Sequence, residues 1–468
     1  MARLLDTNVR YFDNTVTTAQ LNNSWGCLIN VLDEVLLTGS NEQSILSIIT
    51  IEDPEDSNYW ISTIYLNPNH KFEKEIDVVE IKGVGDPIFD TVFRVQSVAE
   101  NYITIAFDKL KITTKPSDFN ILSQATIKLA PLGYLKTVSE PNKAIYKTKN
   151  NSFYLRVDNS CPTGYDPSWI KFARVSIYNA IDNLEDYYPR VGRLKAPYKT
   201  DEPLRAETSR GSGASGSYGE SKWYYGGSSS NSDGIEAINT NIKTGNYPFE
   251  IIGDKDTFYL FIANKMYYLE EERVGYCFGK YTNTRDKNDS DNCILCCTEY
   301  AGLANGSQGP YYYSGDPGGW ERFNALGRVK NMAGKYILNN IINSHTLSNS
   351  VKVSFVSTGI ASASSRSTDF NYSKYDQTVN YSKVRLRGHY DLGIFYLGEM
   401  RGYYMIANNL QDYTVTQPDF KKTYKVINES GNTTTFIILQ VGIRWTTGGT
   451  EYSDYQRGRV AFKLEDWE

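Results

Sequence analysis

Histidine is nearly missing from this chain: His70, His345 and His389 are the three in 468 residues. None lies in a His-Glu-x-x-His pair or beside a cysteine cluster, which excludes a zinc-peptidase helix. No Walker A sequence occurs, and no Gly-x-Ser-x-Gly elbow has a credible histidine partner. Long apolar runs are missing too. The longest, such as 45–51 and 436–443, are strand-length and far below the ~20 residues a membrane-spanning helix needs. The first ten residues (MARLLDTNVR) have no apolar core of the secretory kind. The expectation is a chain made and assembled in a cytoplasm, with its six cysteines mostly reduced. Nor does one sign of charge dominate. There are 49 basic and 54 acidic residues, a net charge of −5, and 351–468 is nearly balanced at 14 against 12. Without a basic arm, wholesale nucleic-acid binding is disfavoured.

What the chain has in excess is aromatic residues, 13% of the total, led by 37 tyrosines. Tyrosine favours strands and offers a flat apolar ring with a polar tip, which suits sheets and large protein contacts. One helix stands out, over 22–37 (NNSWGCLINVLDEVLL). There Trp25, Leu28, Val31, Leu32 and Val35 recur at helical spacing, Asn and Ser are available as N-caps, and Gly39 follows the end. After it the period changes to two. Short β-type runs at 45–51, 60–66, 76–84, 93–98, 102–107 and 125–129, separated by turn residues, predict a small sandwich or barrel. Further strands are predicted at 144–148, 153–158 and 172–179. In FYLRVD (153–158), Phe153, Leu155 and Val157 alternate as a core face against an exposed face of Tyr154, Arg156 and Asp158.

The pattern dissolves over about 189–233, and between Ser209 and Asp233 15 of 25 residues are Gly or Ser. Such a segment buries too little to offset its ordering entropy. Yet Trp223, Tyr224 and Tyr225 sit inside it, and a flexible linker rarely keeps three adjacent aromatics. Strands resume at 249–252, 257–263, 267–269, 274–278 and 293–300. A second irregular stretch, 301–320, carries Tyr311, Tyr312, Tyr313 and Trp320. Beyond it, 351–358, 384–387, 403–407, 423–428, 435–443 and 458–464 read as strands. The expected fold class is mainly β: a small N-terminal helix plus sandwich- or barrel-like domains with long irregular insertions. The expected divisions are 1–130 (helix plus small β domain), 131–350 (central β-rich domain carrying the insertion) and 351–468 (C-terminal β-rich region).

Little in the sequence points to chemistry. Cys293, Cys296 and Cys297 form CxxCC, with Cys277 sixteen residues earlier, and four thiols are enough to hold zinc. Zinc ribbons, however, present CxxC on tight turns, whereas Ile294 and Leu295 here make an apolar strand, so core packing is the expected role. A literal GxGxxG at 211–216 lacks the flanking strand and helix that would bring its glycines to a pyrophosphate. Residues 286–291 (DKNDSD) depart from a calcium loop in lacking the central glycine and terminal glutamate. The acidic runs at 52–56 and 270–272 read as solvated turns, with Asp53 beside Pro54 as turn chemistry. No cofactor, metal or catalytic residue is assigned.

Several local sequences, in order, resemble a family of bacteriophage virion proteins encoded among the tail genes of long-tailed phages and prophages. They are Val9-Arg10-Tyr11-Phe12 with the following helix, GVGDPIFDTVFRV (83–95), LAPLGY (129–134), NKAIY (142–146), FYLRVD, Ala173-Arg174-Val175 and IIGDKDTFYLF (251–261). RLRG (385–388), RGRVAF (457–462) and Asp466-Trp467 complete the set. The Gly/Ser tract and 309–320 depart from that pattern. The resemblance implies a β-rich structural subunit of the tail or baseplate region, assembled in the bacterial cytoplasm. Its partners would be copies of itself and other virion proteins, without nucleic acid or membrane insertion and without a catalytic residue. Trp223, Tyr224, Tyr225, Tyr311, Tyr312, Tyr313 and Trp320 are then candidate interface residues, on arms that order against neighbours. The competing expectations are a carbohydrate- or receptor-binding tail protein, whose exposed aromatics would stack on sugars, and an envelope hydrolase working through a carboxylate pair.

Overall fold

Period-two hydrophobic alternation governs most of the chain, and the fold is accordingly mainly β, with one short helix among the described residues. The computed structural model describes residues 3–120, 124–149, 154–160, 170, 172–178, 181, 184, 221–225, 245–263, 273–283, 293–297, 324–330, 336–343, 381–390, 393–406, 423–427, 433–444 and 455–467. Strand β1 (Arg10–Asp13) leads to helix α1 (Cys27–Asp33), which widens into a π-turn over Glu34–Thr38. The helix is shorter than its sequence pattern. Gly26, at a φ of 82°, takes the N-cap position, so Trp25 lies before the helix and the expected Asn and Ser caps are not used; the Leu28 amide in the first turn donates instead to the distant Asn159 side chain at 3.2 Å. Gly39 does end it, with a φ of 78°, and a side chain there would collide with the Leu129 carbonyl.

The strands that follow are β2 (Ser40–Glu52), β3 (Tyr59–Leu66), β4 (Val78–Lys82), β5 (Val92–Arg94), β6 (Ser97–Ala99), β7 (Tyr102–Asp108) and β8 (Thr126–Leu129). They form one antiparallel sheet in the order β5-β4-β8-β2-β3-β7-β6. Its two ends are consecutive in sequence. Val95 donates to the Asp77 carbonyl (3.0 Å) and Gln96 to the Thr104 carbonyl (2.8 Å), carrying the chain from one pairing partner to the other. The sheet is thereby a closed barrel whose staves are the six strands expected from sequence, with β5 and β6 sharing one stave. Strand β2 serves both halves: a bulge at Ile45–Ser47 bends it, so its start pairs with β8 and its end with β3. Inside, Phe89 and Phe93 meet Phe107 edge-on at 5.4 and 5.1 Å.

Strands β9 (Leu135–Glu140), β10 (Lys143–Lys147), β11 (Tyr154–Asp158), β12 (Phe172–Tyr178) and β13 (Ser221–Tyr224) make a second sheet, ordered β13-β12-β11-β10-β9. One expectation fails here: Arg156 and Asp158 are buried. Ile181 and Leu184 fold over the face that was to be solvent and pack with Ile145, and Arg156 donates to the Leu184 carbonyl at 2.8 Å. The two charges pair with each other at 3.0 Å.

The third sheet uses β14 (Phe249–Gly253), β15 (Thr257–Ala263), β16 (Arg273–Gly279), β17 (Thr282–Asn283), β18 (Cys293–Cys297), β19 (Asn324–Lys330) and β20 (Tyr336–Asn343). It continues with β21 (Tyr381–Tyr390), β22 (Gly393–Ile406), β23 (Thr423–Ile427), β24 (Thr433–Arg444) and β25 (Tyr455–Lys463). With β1 it has 13 strands, in the order β1-β14-β15-β16-β18-β19-β20-β21-β22-β25-β24-β23, with β17 beside β22. The predicted strands at 267–269 and 351–358 lie outside the described residues. Strands β14–β16 separate two cores by alternation. Ile251, Phe258, Leu260 and Phe278 join the core of the helix, barrel and second sheet, while Ile252, Tyr259, Phe261 and Cys277 face Tyr403, Phe462 and Trp467. The barrel strands fall within 1–130 and the second sheet within 131–350, but the third sheet and the first core cross those boundaries.

Two arginines, Arg94 buried and Arg401 half-buried, fasten these layers. Arg94 leaves the outer side of the barrel wall and donates to the carbonyls of Asp6 (2.9 Å), Val9 (2.9 Å), Ile76 (2.7 Å) and Leu464 (2.8 Å). It joins segments 370 residues apart, and burial pulls its pKa down to about 10. Arg401 donates to the Trp467 carbonyl and pairs with Asp254 at 2.9 Å. Beside it Gly402, at a φ of 63°, gives the Trp467 indole the space a side chain would occupy.

Candidate functional site

The aromatic residues that sequence marked for interfaces divide on inspection. Trp223 is fully buried; it stacks on Tyr276 at 5.4 Å and meets Phe258 edge-on at 6.1 Å. Tyr225 is buried as well, accepts a hydrogen bond from the Asn159 side-chain amide, and has its phenol pushed well above the ordinary range by burial. Both belong to the core shared with the helix and barrel. The physical reason is β13 itself, which adds to the edge of the second sheet with Trp223 opposite Ala173. The Gly/Ser tract is therefore nailed down at its centre, and Trp223 and Tyr225 serve this chain's own interior instead of a neighbour. Tyr224 belongs to the same strand. Tyr311, Tyr312, Tyr313 and Trp320 lie outside the described residues, as do 211–216, 270–272, 286–291 and His345.

The cysteines follow the strand expectation. Cys277 is a free, buried thiol on β16, and Cys293, Cys296 and Cys297 stand on β18. Among the described residues no cluster of three or more His, Cys, Asp or Glu is placed to hold a metal.

A polar depression lies beside α1, lined by Thr18, Asn30, Asp33, Glu34 and residues 38–42. Two of its acids are engaged. Glu34 accepts the Thr18 and Ala19 amides at 2.8 and 2.6 Å, and Asp33 accepts from Lys136 and from the Tyr146 hydroxyl, both at 2.7 Å. Asp53 takes the Glu55 amide at 3.0 Å, the turn role expected of it, but it is buried and paired with Arg3 rather than solvated. His70 is bonded to the Ala99 carbonyl at 2.8 Å.

Among the described residues, the surface most unlike an ordinary exterior is the barrel wall built from the end of β2 with β3, β7 and β6. Because Ile48, Ile64, Ile103, Ile105 and Phe107 point inward, the intervening residues form three outer cross-strand rows. One row is Ile51, Ile61 and Ala106; the next is Ile49, Thr63, Thr104 and Ser97; the third is Ser47, Tyr65, Tyr102 and Ala99. No Asp, Glu, Lys or Arg occupies any of these eleven positions. Ile49 and Ile51 are 42% and 50% exposed, and Leu46, at the bulge, is 46% exposed. The Tyr65 and Tyr102 rings touch at 5.9 Å, and Ser97 and Thr104 share a 2.6 Å hydroxyl bond, so the rows are knit together. The neighbouring wall, β4 with β8, is charged in the usual way: Glu80 pairs with Lys82 at 3.0 Å and with Lys128 at 3.6 Å.

Sequence reasoning identified these strands but not their outer face. The signal was present in the alternation of 45–51, where isoleucine and leucine continue onto both sides. No family model matches this chain. No curated protein matches it either.

Proposed function

We propose that this chain is a non-enzymatic structural subunit of a bacteriophage particle, in the tail or baseplate region, and that the uncharged barrel wall is one of its contacts within the particle. The wall carries the reading. Interface centres are depleted of charge and enriched in tyrosine and apolar residues, whereas a solvated sheet face alternates to charged and polar residues. A wall with no charge at eleven positions, of which Ile49 and Ile51 are exposed and Ile61, Thr104 and Ala106 are buried, matches the first description.

The segments that carry the phage resemblance support it from another direction. Val9, Arg94, Ile252, Phe462 and Trp467 come from five of them, and they meet around one interior region. The glycan-binding alternative has less to stand on, because Trp223 and Tyr225 are spent on the core. Particles released by a bacterium carrying the gene, purified on a density gradient and analysed by mass spectrometry, are expected to contain the chain as a fixed component. Its consistent exclusion from finished particles overturns the proposal, as does turnover of an envelope polymer by the purified chain.

A further inference from the structure

We propose that the segment from Arg3 to Asp6 is a latched strap across one end of the uncharged barrel wall, and that its release uncovers Ile61 and Ala106. These two residues are cross-strand partners in the outer row that begins at Ile51. Ile51 meets solvent at 50% exposure, as an outer position of a bare sheet does. Ile61 and Ala106 are only 8% and 7% exposed, and neither belongs to any of the three interior clusters. They are therefore covered from outside the barrel.

The strap has a fastening on each flank of them. On one flank, Asp53 follows Ile49 and Ile51 on the outer side of the β2 line, and its amide continues the ladder to the Tyr59 carbonyl at 3.0 Å. Its buried carboxylate pairs with Arg3, whose guanidinium also reaches Glu55 at 3.4 Å. On the other flank, the Gln96 amide donates to the Thr104 carbonyl at 2.8 Å, and its side chain donates to the Leu4 carbonyl at 2.9 Å. A chain fastened at Asp53 through Arg3 and at Gln96 through Leu4 crosses from the end of β2 to the β6 edge, over Ile61 and Ala106. Residues 3–7 are half-buried, as a segment lying on a surface must be.

The fastenings differ in strength. The Arg3 contacts are charge-assisted, whereas Gln96 offers one neutral hydrogen bond. Beyond Leu4, Arg94 holds the Asp6 and Val9 carbonyls, so the chain past Asp6 is fixed. Loss of the Arg3 pair thus frees a short flap hinged at Asp6 and leaves the barrel interior untouched. The consequence for assembly rests on the reading of the wall as a particle contact. A partner meets Leu46, Ile49 and Ile51 when the strap is latched, and Ile61 and Ala106 as well when it is released.

The test is hydroxyl-radical footprinting of the full chain as wild type, Arg3→Ala and Asp53→Asn. Oxidation of Ile61 should rise in both variants, by roughly fivefold in Arg3→Ala, the ratio of the 42% exposure of Ile49 to the 8% of Ile61. Ile49 and Ile51 should react equally in all three proteins, and the inward Ile64 should stay protected. A second reading, maleimide labelling of Ala106→Cys located by peptide mapping, should accelerate in the same two backgrounds. Equal Ile61 oxidation in wild type and Arg3→Ala overturns the strap. So does a joint rise of Ile61 and Ile64, which would mean that the barrel itself had loosened. Normal particle incorporation of Ile49→Glu with Ile51→Glu overturns the wall reading, and with it the strap's control of assembly, but not the covering of Ile61.

Discussion

The barrel presents two walls that treat charge in opposite ways. Toward the large sheet it buries Arg94 completely and satisfies the guanidinium with carbonyls from distant segments. On another side, the three outer rows of β2, β3, β7 and β6 carry no charge, with Ile49 and Ile51 exposed, Thr63, Tyr65 and Tyr102 half-buried, and Ile61, Thr104 and Ala106 buried. A free-standing domain normally does the reverse, since burying an ion costs desolvation and an uncharged exterior invites association. The inner wall shows what a finished interface looks like in this protein: fully closed and hydrogen-bonded. The outer wall, on the function proposed above, would be the matching face for a second molecule.

The largest blow to that comparison comes from Arg94→Met. It leaves four carbonyls, three of them buried, without their donor and should cost about 3–5 kcal/mol in urea unfolding. A loss below about 1 kcal/mol would show that the inner wall does not depend on it. Trp223→Ala should cost a similar amount, about 3–5 kcal/mol, because it empties a core site against Tyr276 and Phe258. Normal stability combined with failed particle assembly would return Trp223 to the interface.

The next effect is electrostatic. Burial, opposed by Arg401, raises the Asp254 pKa from 3.8 to about 6. The folded state therefore disfavours the ionised carboxylate, so this group's contribution to stability is highest below about pH 4 and falls as pH climbs through 6. The stability of the wild type relative to Asp254→Asn should drop across that window by on the order of 2–3 kcal/mol. A flat or rising difference refutes the assignment.

On the outer wall, Ile49→Glu with Ile51→Glu should change stability by no more than about 1 kcal/mol. The same variant should abolish incorporation into particles, read by immunoblot of gradient fractions. The smallest change belongs to the charged wall. Glu80→Gln should stay within about 0.5 kcal/mol and assemble normally, since its pairs with Lys82 and Lys128 are surface ion pairs. Equal assembly of the two wall variants would erase the distinction between the walls.

Much of the fold could be read directly from the chain. The six barrel strands, the β10–β12 hairpins, the CILCC strand and the glycine that stops the helix all follow from periodicity and turn residues. Strand β13 could not be, because four residues in a Gly/Ser tract give no period long enough to register. In retrospect the spacing of Trp223 and Tyr225 was its trace. The outward assignment of Arg156 and Asp158 failed for a related reason. Alternation says which residues share a face, and it does not say what will cover that face.

The sequence by itself determined that this protein is built of sheets and that its barrel has six staves. Those outcomes depend on local alternation and turn chemistry, which act over a few residues. Tertiary structure alone decided that the sheet closes into a barrel, that Arg94 and Arg401 clamp the C-terminal segment, and that Trp223 is core. It also decided that eleven outer positions align into an uncharged wall. Each of these requires segments tens to hundreds of residues apart to meet, and register between strands is set by packing across the whole core.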